Sequence, residues 1–310
     1  MEESKKITLN IGDVSWNEIL GTYYIDMRPA LIHYTQNIYD GQFDENGVPM
    51  CMGPNGKLIY YPINIAQYGF MLHTEWSEKK DEETFQKILK CINQLELLKT
   101  EKENYTVWLH DYREVKYNIP APWSSAMAQG EIISLYLRVF QITKDNNLLE
   151  SAIRAYNFLK IDYSEGGARR IDENGDLWLE EYPSDPPSYV LNGFIYAVFG
   201  LIDLYRTTKN VDVKRDLDAC ILTLEKNLYR FDAGYWSYYD LSKKELVRYY
   251  YQKNVHVPQL EVLYVLTSKE VFNKYKVKWE RTVNPFNFAF VQVMYRILHR
   301  WRKLQKKISK

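Results

Sequence analysis

The chain has 310 residues, 46% hydrophobic and 26% charged, an ordinary globular composition with enough apolar material for a large core in one or two domains. Lys+Arg and Asp+Glu balance at 40 each, which argues against a generic binder of nucleic acid or acidic membranes and leaves room for a local basic cleft. The unusual count is 27 Tyr beside 12 Phe and 8 Trp, an excess of rings with one wet edge, as in a cleft that stacks on sugars.

Cys51, Cys91 and Cys220 are far apart and odd in number, so a reduced intracellular protein is expected, with neither a disulfide framework nor a metal knuckle. The N-terminal Met1-Glu2-Glu3-Ser4-Lys5-Lys6 leads into no apolar run, and no stretch approaches the length of a membrane span. The expected location is the cytoplasm.

Residues 1–57 alternate short apolar runs with turn signals at Asp40-Gly41, Glu45-Asn46-Gly47 and Pro54-Asn55-Gly56. They predict a lead-in of turns and short strands, too short for a domain of its own, before a main domain over 58–310. A repeat then emerges. Gln67, Gln129, Asn192 and Gln259 each stand at the opening of an apolar helical run, and they recur 62, 63 and 67 residues apart.

The runs that follow, such as 132–142 and 194–204, are apolar all round and predict buried helices. More polar segments at 82–99, 147–160 and 211–229, apolar at three- and four-residue intervals, predict outer partners. The fourth inner helix is expected over 258–268 with its partner over 285–306, whose basic end from Arg300 suits a helix C-terminus. Strand signals fall between the pairs at 105–110, at 169–180 around Asn174-Gly175, and at 234–241 with 246–251. The predicted fold is mainly α, an (α/α) toroid of inner and outer helices with β-hairpins at the cleft end. That arrangement draws Tyr61, Gln67, Gln129, Tyr182, Asn192, Tyr239 and His256 towards one cleft.

The densest chemistry lies in 180–193, where Glu180, Glu181, Tyr182 and Tyr189 flank three prolines. Proline fixes φ and removes a donor, so 182–187 should be a stiff connection, with Ser188 as the cap of the helix that begins near Val190. The five histidines, His33, His73, His110, His256 and His299, show no zinc spacing and read as structural. No phosphate-binding glycine loop, nucleophile elbow or Cys/His pair is present, so chemistry without a cofactor or metal is expected. Trp108, Trp123, Trp178 and Trp236 sit at strand or hairpin positions, equally suited to core packing and to sugar stacking.

Five motifs then carry a resemblance: Tyr61-Pro62-Ile63-Asn64-Ile65-Ala66-Gln67, Ser125-Ala126-Met127-Ala128-Gln129-Gly130, Glu181-Tyr182-Pro183 with Asn192-Gly193, Tyr239-Asp240-Leu241, and His256-Val257-Pro258-Gln259-Leu260. Their order over about 58–303 resembles the C-terminal domain of D-glucuronyl C5-epimerases. The resemblance implies an (α/α) toroid that inverts glucuronate to iduronate residues in a heparosan-like polymer, with Tyr182 and Tyr239 as catalytic tyrosines, Glu181 as their acidic neighbour, and Asn192 and His256 facing the sugar. The family's third tyrosine lies four residues before the histidine, where this chain has Gln252. Tyr251 takes the role on the assumption of a one-residue insertion. The chain also has Ser242 where the family tends to carry a basic residue, and relatives of this kind imply a possible homodimer.

The chemistry itself needs two acid–base groups on opposite faces of the sugar, since one alone returns the proton to the face it left. A phenol, with an ordinary pKa of about 10, is a strong base when ionised and an acid when neutral. The charge developing on the uronate carboxylate must be neutralised, and Arg169, Arg170, Arg248 and Lys253 are the candidates for that and for gripping an anionic polymer. Glu181 is expected either to meet the substrate carboxylate in protonated form or to orient Tyr182. A uronan lyase, which shares the proton abstraction, and a non-catalytic carbohydrate-binding scaffold are the alternatives.

Overall fold

The computed structural model describes residues 7–31, 42–54 and 56–308, with side chains in the last helix described as far as residue 297. The Asp40-Gly41 turn, His33 and the side chain of His299 lie outside the described residues. Helices alternate along the chain as inner and outer partners. α1 (Pro62–Lys79), α3 (Ala126–Thr143) and α5 (Leu191–Thr208) are the first three inner helices. α2 (Glu82–Leu98), α4 (Asn146–Leu159) and α6 (Val211–Asn227) are their outer partners. The fourth inner element is compound. A short α turn (Tyr249–Tyr251) and a π-helical turn (Gln252–His256) run into α7 (Val257–Thr267).

Local sequence explains these boundaries. The outer helices start at side-chain caps, where Asp81 accepts from the Thr84 N–H, Asp145 from Asn147 and Asn210 from Asp212 and Val213. The first three inner helices stop at Lys80, Lys144 and Lys209 in left-handed conformation, and α7 at Ser268. α3 and α5 bury almost every residue, charged ones included, as helices that are apolar all round should.

Two expectations need correction. The partner of α7 is α8 (Glu270–Thr282), which buries only Phe272, Tyr275 and Trp279 and is otherwise too polar to stand out, whereas 285–306 falls within a further helix, α9 (Pro285–Ile308). Residues 249–251, expected as strand, are instead wound into the first turn of the fourth inner element, continuous with the π-helical turn that follows.

The strands are short: β1 (Asn10–Ile11) with β2 (Ile25–Asp26), β3 (Cys51–Met52) with β4 (Leu58–Ile59), and β5 (Lys99–Glu101), β6 (Thr106–His110) and β7 (Trp123–Ser124) as one sheet. β8 (Arg169–Ile171) and β9 (Leu177–Leu179) form the hairpin around Asn174-Gly175, with Gly175 at φ +76°. The third expected hairpin is held only by isolated bridges, Asp232 to Ser237 and Tyr238 to Leu246.

α1, α3 and α5 pack side by side, α5 touches the π turn, and the ring is completed by the N-terminal segment, with β1 against α7 and β2 against α1. Between those strands, residues 15–21 cross under the C-terminal ends of the inner helices. Arg138 Nε donates to Gly21 O, Arg206 Nε to Asn17 O and Trp16 Nε1 to Leu266 O. Asp203, wholly buried, pairs with Arg138 at 2.5 Å and Arg206 at 3.3 Å and accepts from Tyr24 OH at 2.7 Å. The opposite end, where the inner helices begin, is left for the hairpins.

α3 and α5 approach through glycine. A Cβ on Gly130 would stand 2.5 Å from the Ala197 Cα, and one on Gly200 would stand 2.5 Å from the Gly130 Cα. Gly130→Ala therefore has no side chain to push aside, only backbone. Overpacking of this kind costs about 1–3 kcal/mol, and the denaturation midpoint of the variant should fall accordingly while an exposed control, Gly47→Ala apart, such as Lys90→Ala leaves it in place.

Candidate active site

Two backbone bonds build the site onto the mouth of the toroid. The first N–H of α3, at Ala126, donates to Glu180 O at 2.9 Å, and the first N–H of α5, at Leu191, donates to Tyr239 O at 3.1 Å. The loop carrying Glu180 to Tyr189 and the segment carrying Tyr239 are thereby fixed to the helix starts. Glu180 itself is buried and accepts from Ser188 Oγ at 2.6 Å and from the Tyr189 N–H at 3.0 Å. Ser188, expected as a helix cap, instead also donates to Tyr182 O, and the N-cap is Val190 without a side-chain bond.

Strand β9 ends at Leu179 and the chain bends at Glu181, which meets Tyr239 where Glu180 meets its own loop. Glu181 Oε1 accepts from Tyr239 OH at 3.2 Å, and Tyr182 is electrostatically coupled to both. Gly193 makes room for it, because a Cβ there would meet Glu181 Oε2 at 2.2 Å. Burial pushes the Glu181 carboxyl up to about 7, against the pull of the two tyrosines and Lys116. Burial first, then neighbouring negative charge, holds Tyr182 and Tyr239 well above an ordinary phenol. Tyr251, whose ring stands 6.0 Å from that of Tyr239 at 86°, is pushed up to about 12, with Arg248 pulling it down.

Tyr251 reaches this position through the π turn that follows it, which takes one residue more than an α turn. The next residue, Gln252, points into the wall, accepting from Ser237 Oγ and donating to Thr282 Oγ1 at 3.2 Å. Other expected residues divide in the same way. Tyr61 is at the mouth, stacked on His110 at 4.7 Å and electrostatically coupled to Tyr182 and Glu181. Gln67, Gln129 and Asn192 are buried at the openings of their helices, with Gln67 donating to Glu131 at 3.1 Å and Gln129 to Trp108 O at 3.4 Å. Arg248 is exposed beside Tyr251.

Three basic candidates point elsewhere. Arg169 pairs with Asp216 of α6 at 3.0 Å, Arg170 lies 3.4 Å from Glu180 and donates to Ser184 O, and Lys253 anchors the N-terminal segment through Ile7 O and Thr8 Oγ1. Nearby carboxylates and carbonyls, remote in sequence, claim their charges. His256 is also not a cleft residue. Its Nδ1 lies 2.8 Å from Ser237 Oγ, its ring packs on Trp279 of α8, and burial lowers it to about 3.

Sequence reasoning missed several groups. The hairpin closed by Glu114 and Ile119 lays Tyr117 on Tyr182, with rings 4.9 Å apart, and Lys116 over Tyr239, 4.4 Å from the ring centre. Trp123 borders Tyr182 at 5.5 Å, while Trp108, Trp178 and Trp236 are core. His110, read as a satisfied structural residue, is buried between Tyr61 and Trp123 with neither ring nitrogen bonded. Glu131, wholly buried on α3, was detectable as a carboxylate two residues beyond Gln129 at the head of an otherwise apolar helix. Among the described residues no three His, Cys, Asp or Glu side chains gather as metal ligands, and no helix is long and apolar enough to cross a membrane.

The fold is the (α/α) toroid found in sugar-isomerising enzymes: the D-mannose isomerase structure and that of cellobiose 2-epimerase from Spirochaeta thermophila each superpose with a TM-score of 0.53 at 13% identity, over 82% of this chain and 68% and 66% of theirs. Residues 101–281 match the family described as the D-glucuronyl C5-epimerase C-terminus, and the chain belongs to that family. It is 34% identical over 184 residues to the D-glucuronyl C5-epimerase of Caenorhabditis elegans, across 54% of this chain and 30% of that protein. It is 30% identical over 189 residues to an uncharacterized protein of Methanocaldococcus jannaschii, across 59% of this chain and 61% of that one. The matches thus span less than two thirds of either relative.

The burial of Glu181 has a measurable consequence. Its folded-state value of about 7 exceeds the ordinary 4.5, so the native state holds this proton where the unfolded chain has lost it. Stability contributed by the neutral carboxyl is then full below about pH 4.5 and lost as pH rises through about 7. Glu181→Gln should gain on the wild type between pH 5 and pH 8 by on the order of 3 kcal/mol, measured as the change in the stability difference across that interval in urea titrations.

Proposed function

We propose that the protein is a carbohydrate C5-epimerase that converts D-glucuronate to L-iduronate residues within an anionic, heparosan-like polysaccharide. The observation that carries this reading is the set of three phenols, Tyr182, Tyr239 and Tyr251, gathered around one buried carboxyl, Glu181. Family membership and the toroid support it.

In this reading the phenols divide by environment. Tyr251 is the least raised of the three and has Arg248 beside it, so it ionises most readily and removes the carbon-5 proton. The electron pair left behind is delocalised into the uronate carboxylate. Tyr182 donates its phenolic proton to the other face of carbon 5, and its neutral state at rest suits that task. Glu181, bonded to Tyr239 and coupled to Tyr182 and Tyr251, relays the proton taken by Tyr251 back to Tyr182 and so restores the starting state. Inversion follows because donor and acceptor come from different segments of the chain.

The test is incubation with heparosan in deuterium oxide. The wild type should place deuterium at carbon 5 and form iduronate. Tyr182→Phe, Tyr239→Phe and Tyr251→Phe keep ring packing and remove the proton carrier, so each should lower epimerisation by about 10²–10⁴-fold. Full activity in Tyr182→Phe would remove this loop from the reaction, and unsaturated uronate ends in place of iduronate would make the enzyme a lyase. As a proton acceptor Glu181 works ionised, so the rate should rise as pH increases through about 7 and this limb should vanish in Glu181→Gln.

A further inference from the structure

We propose that Lys116 is the cation that receives the substrate carboxylate, a role that rests on the uronate reading above. Three of the four basic residues expected to do so are engaged elsewhere, Arg169 with Asp216, Arg170 with Glu180 and Ser184, and Lys253 with Ile7 and Thr8, while the fourth, Arg248, is exposed beside Tyr251. Lys116 reaches both site partners, lying over the Tyr239 ring and contributing to the potential at Glu181.

Its present bonds are of a kind that exchanges. Lys116 Nζ lies 2.7 Å from Glu245 Oε2 and 3.3 Å from Asp240 Oδ2. Asp240 is wholly buried but has other donors, with Tyr117 OH at 3.0 Å, Ser242 Oγ at 3.3 Å and the Lys243 N–H. Removal of Lys116 therefore does not strand it. Glu245 is partly exposed, and a partly solvated ion pair contributes little to stability. A substrate carboxylate brought between Tyr182 and Tyr239 offers Lys116 a less solvated partner, where a charge-assisted bond is stronger. The flexible four-carbon stem of lysine allows the head to turn from Glu245 to the ligand without moving the hairpin.

Acidic neighbours sharpen the consequence. Glu114, Glu181, Asp240 and Glu245 all lie around this lysine, so a site deprived of it repels an anion. The carboxylate, rather than the hydroxyls, is what Lys116 selects.

The experiment compares calorimetric binding of a heparosan oligosaccharide with that of the same oligosaccharide reduced at its carboxyl groups. The wild type should prefer the acid. Lys116→Met should weaken binding of the acid by about 10- to 100-fold and leave the reduced sugar unchanged, while Lys116→Arg should keep most of the preference. Because Lys116 is partly exposed on a hairpin, circular dichroism of the variants should match the wild type. A wild type without preference, or a Lys116→Met variant that retains it, overturns the proposal. Carbon-5 exchange separates this result from the epimerase reading: exchange with an unaltered preference in Lys116→Met removes the lysine and leaves the epimerase, whereas a Lys116-dependent preference without exchange supports the grip and removes the epimerase.

Discussion

The architecture depends on the backbone contact between α3 and α5. With Gly130 against Ala197 and Gly200 against Gly130, these two helices approach more closely than side chains permit, and the starts of both helices are drawn together. Those starts hold Glu180 and Tyr239 by backbone hydrogen bonds, so the distance between the two segments of the candidate site is set by the helix contact rather than by the loops. At the other end the same two helices carry Arg138, Asp203 and Arg206, which need one another because a lone buried charge costs far more than a paired one. The N-terminal segment supplies the remaining acceptors there, which makes it a floor of the toroid as well as its closing wall.

What could be read from the sequence follows from which interactions are local. Helix periodicity and caps are local, so α2, α4 and α6 lie within two residues of their expected bounds, and the amide residues do open the inner helices. The course of residues 7–27 could not be read, because its hydrogen bonds go to residues more than a hundred positions away. The helix α8 was missed because three buried aromatics are too few to mark a segment otherwise rich in lysine and glutamate.

The site divides along the same line. Tyr182, Glu181 and Tyr239 were legible because rigid backbone and motif order fix them. The basic residues were not, since a guanidinium within reach of the cleft goes to whichever carboxylate the tertiary fold presents, and for Arg169 that is Asp216 on an outer helix. Tyr251 was legible only with an inserted residue, and a π turn is the form in which a continuous helix absorbs one. The hairpin bearing Lys116 and Tyr117 has neither periodicity nor motif, and its importance comes from what it touches.

A site so rich in buried acids needs compensating positive charge, and the side chains around it supply few cations. The backbone supplies part of the remainder. The inner helices all begin at the cleft and end at the floor, so their dipoles place partial positive charge at the mouth and partial negative charge at the far end. The floor answers with Arg138 and Arg206, cations set near the helix ends that favour them. Burial, with the charge of Glu114 behind it, drives Glu181 towards its neutral form, whereas Tyr182, Tyr239 and Lys116 favour the ion. Its position near 7 is the balance of those two demands, and it leaves the carboxyl able to hold or release a proton at neutral pH, as a group shared between tyrosines requires.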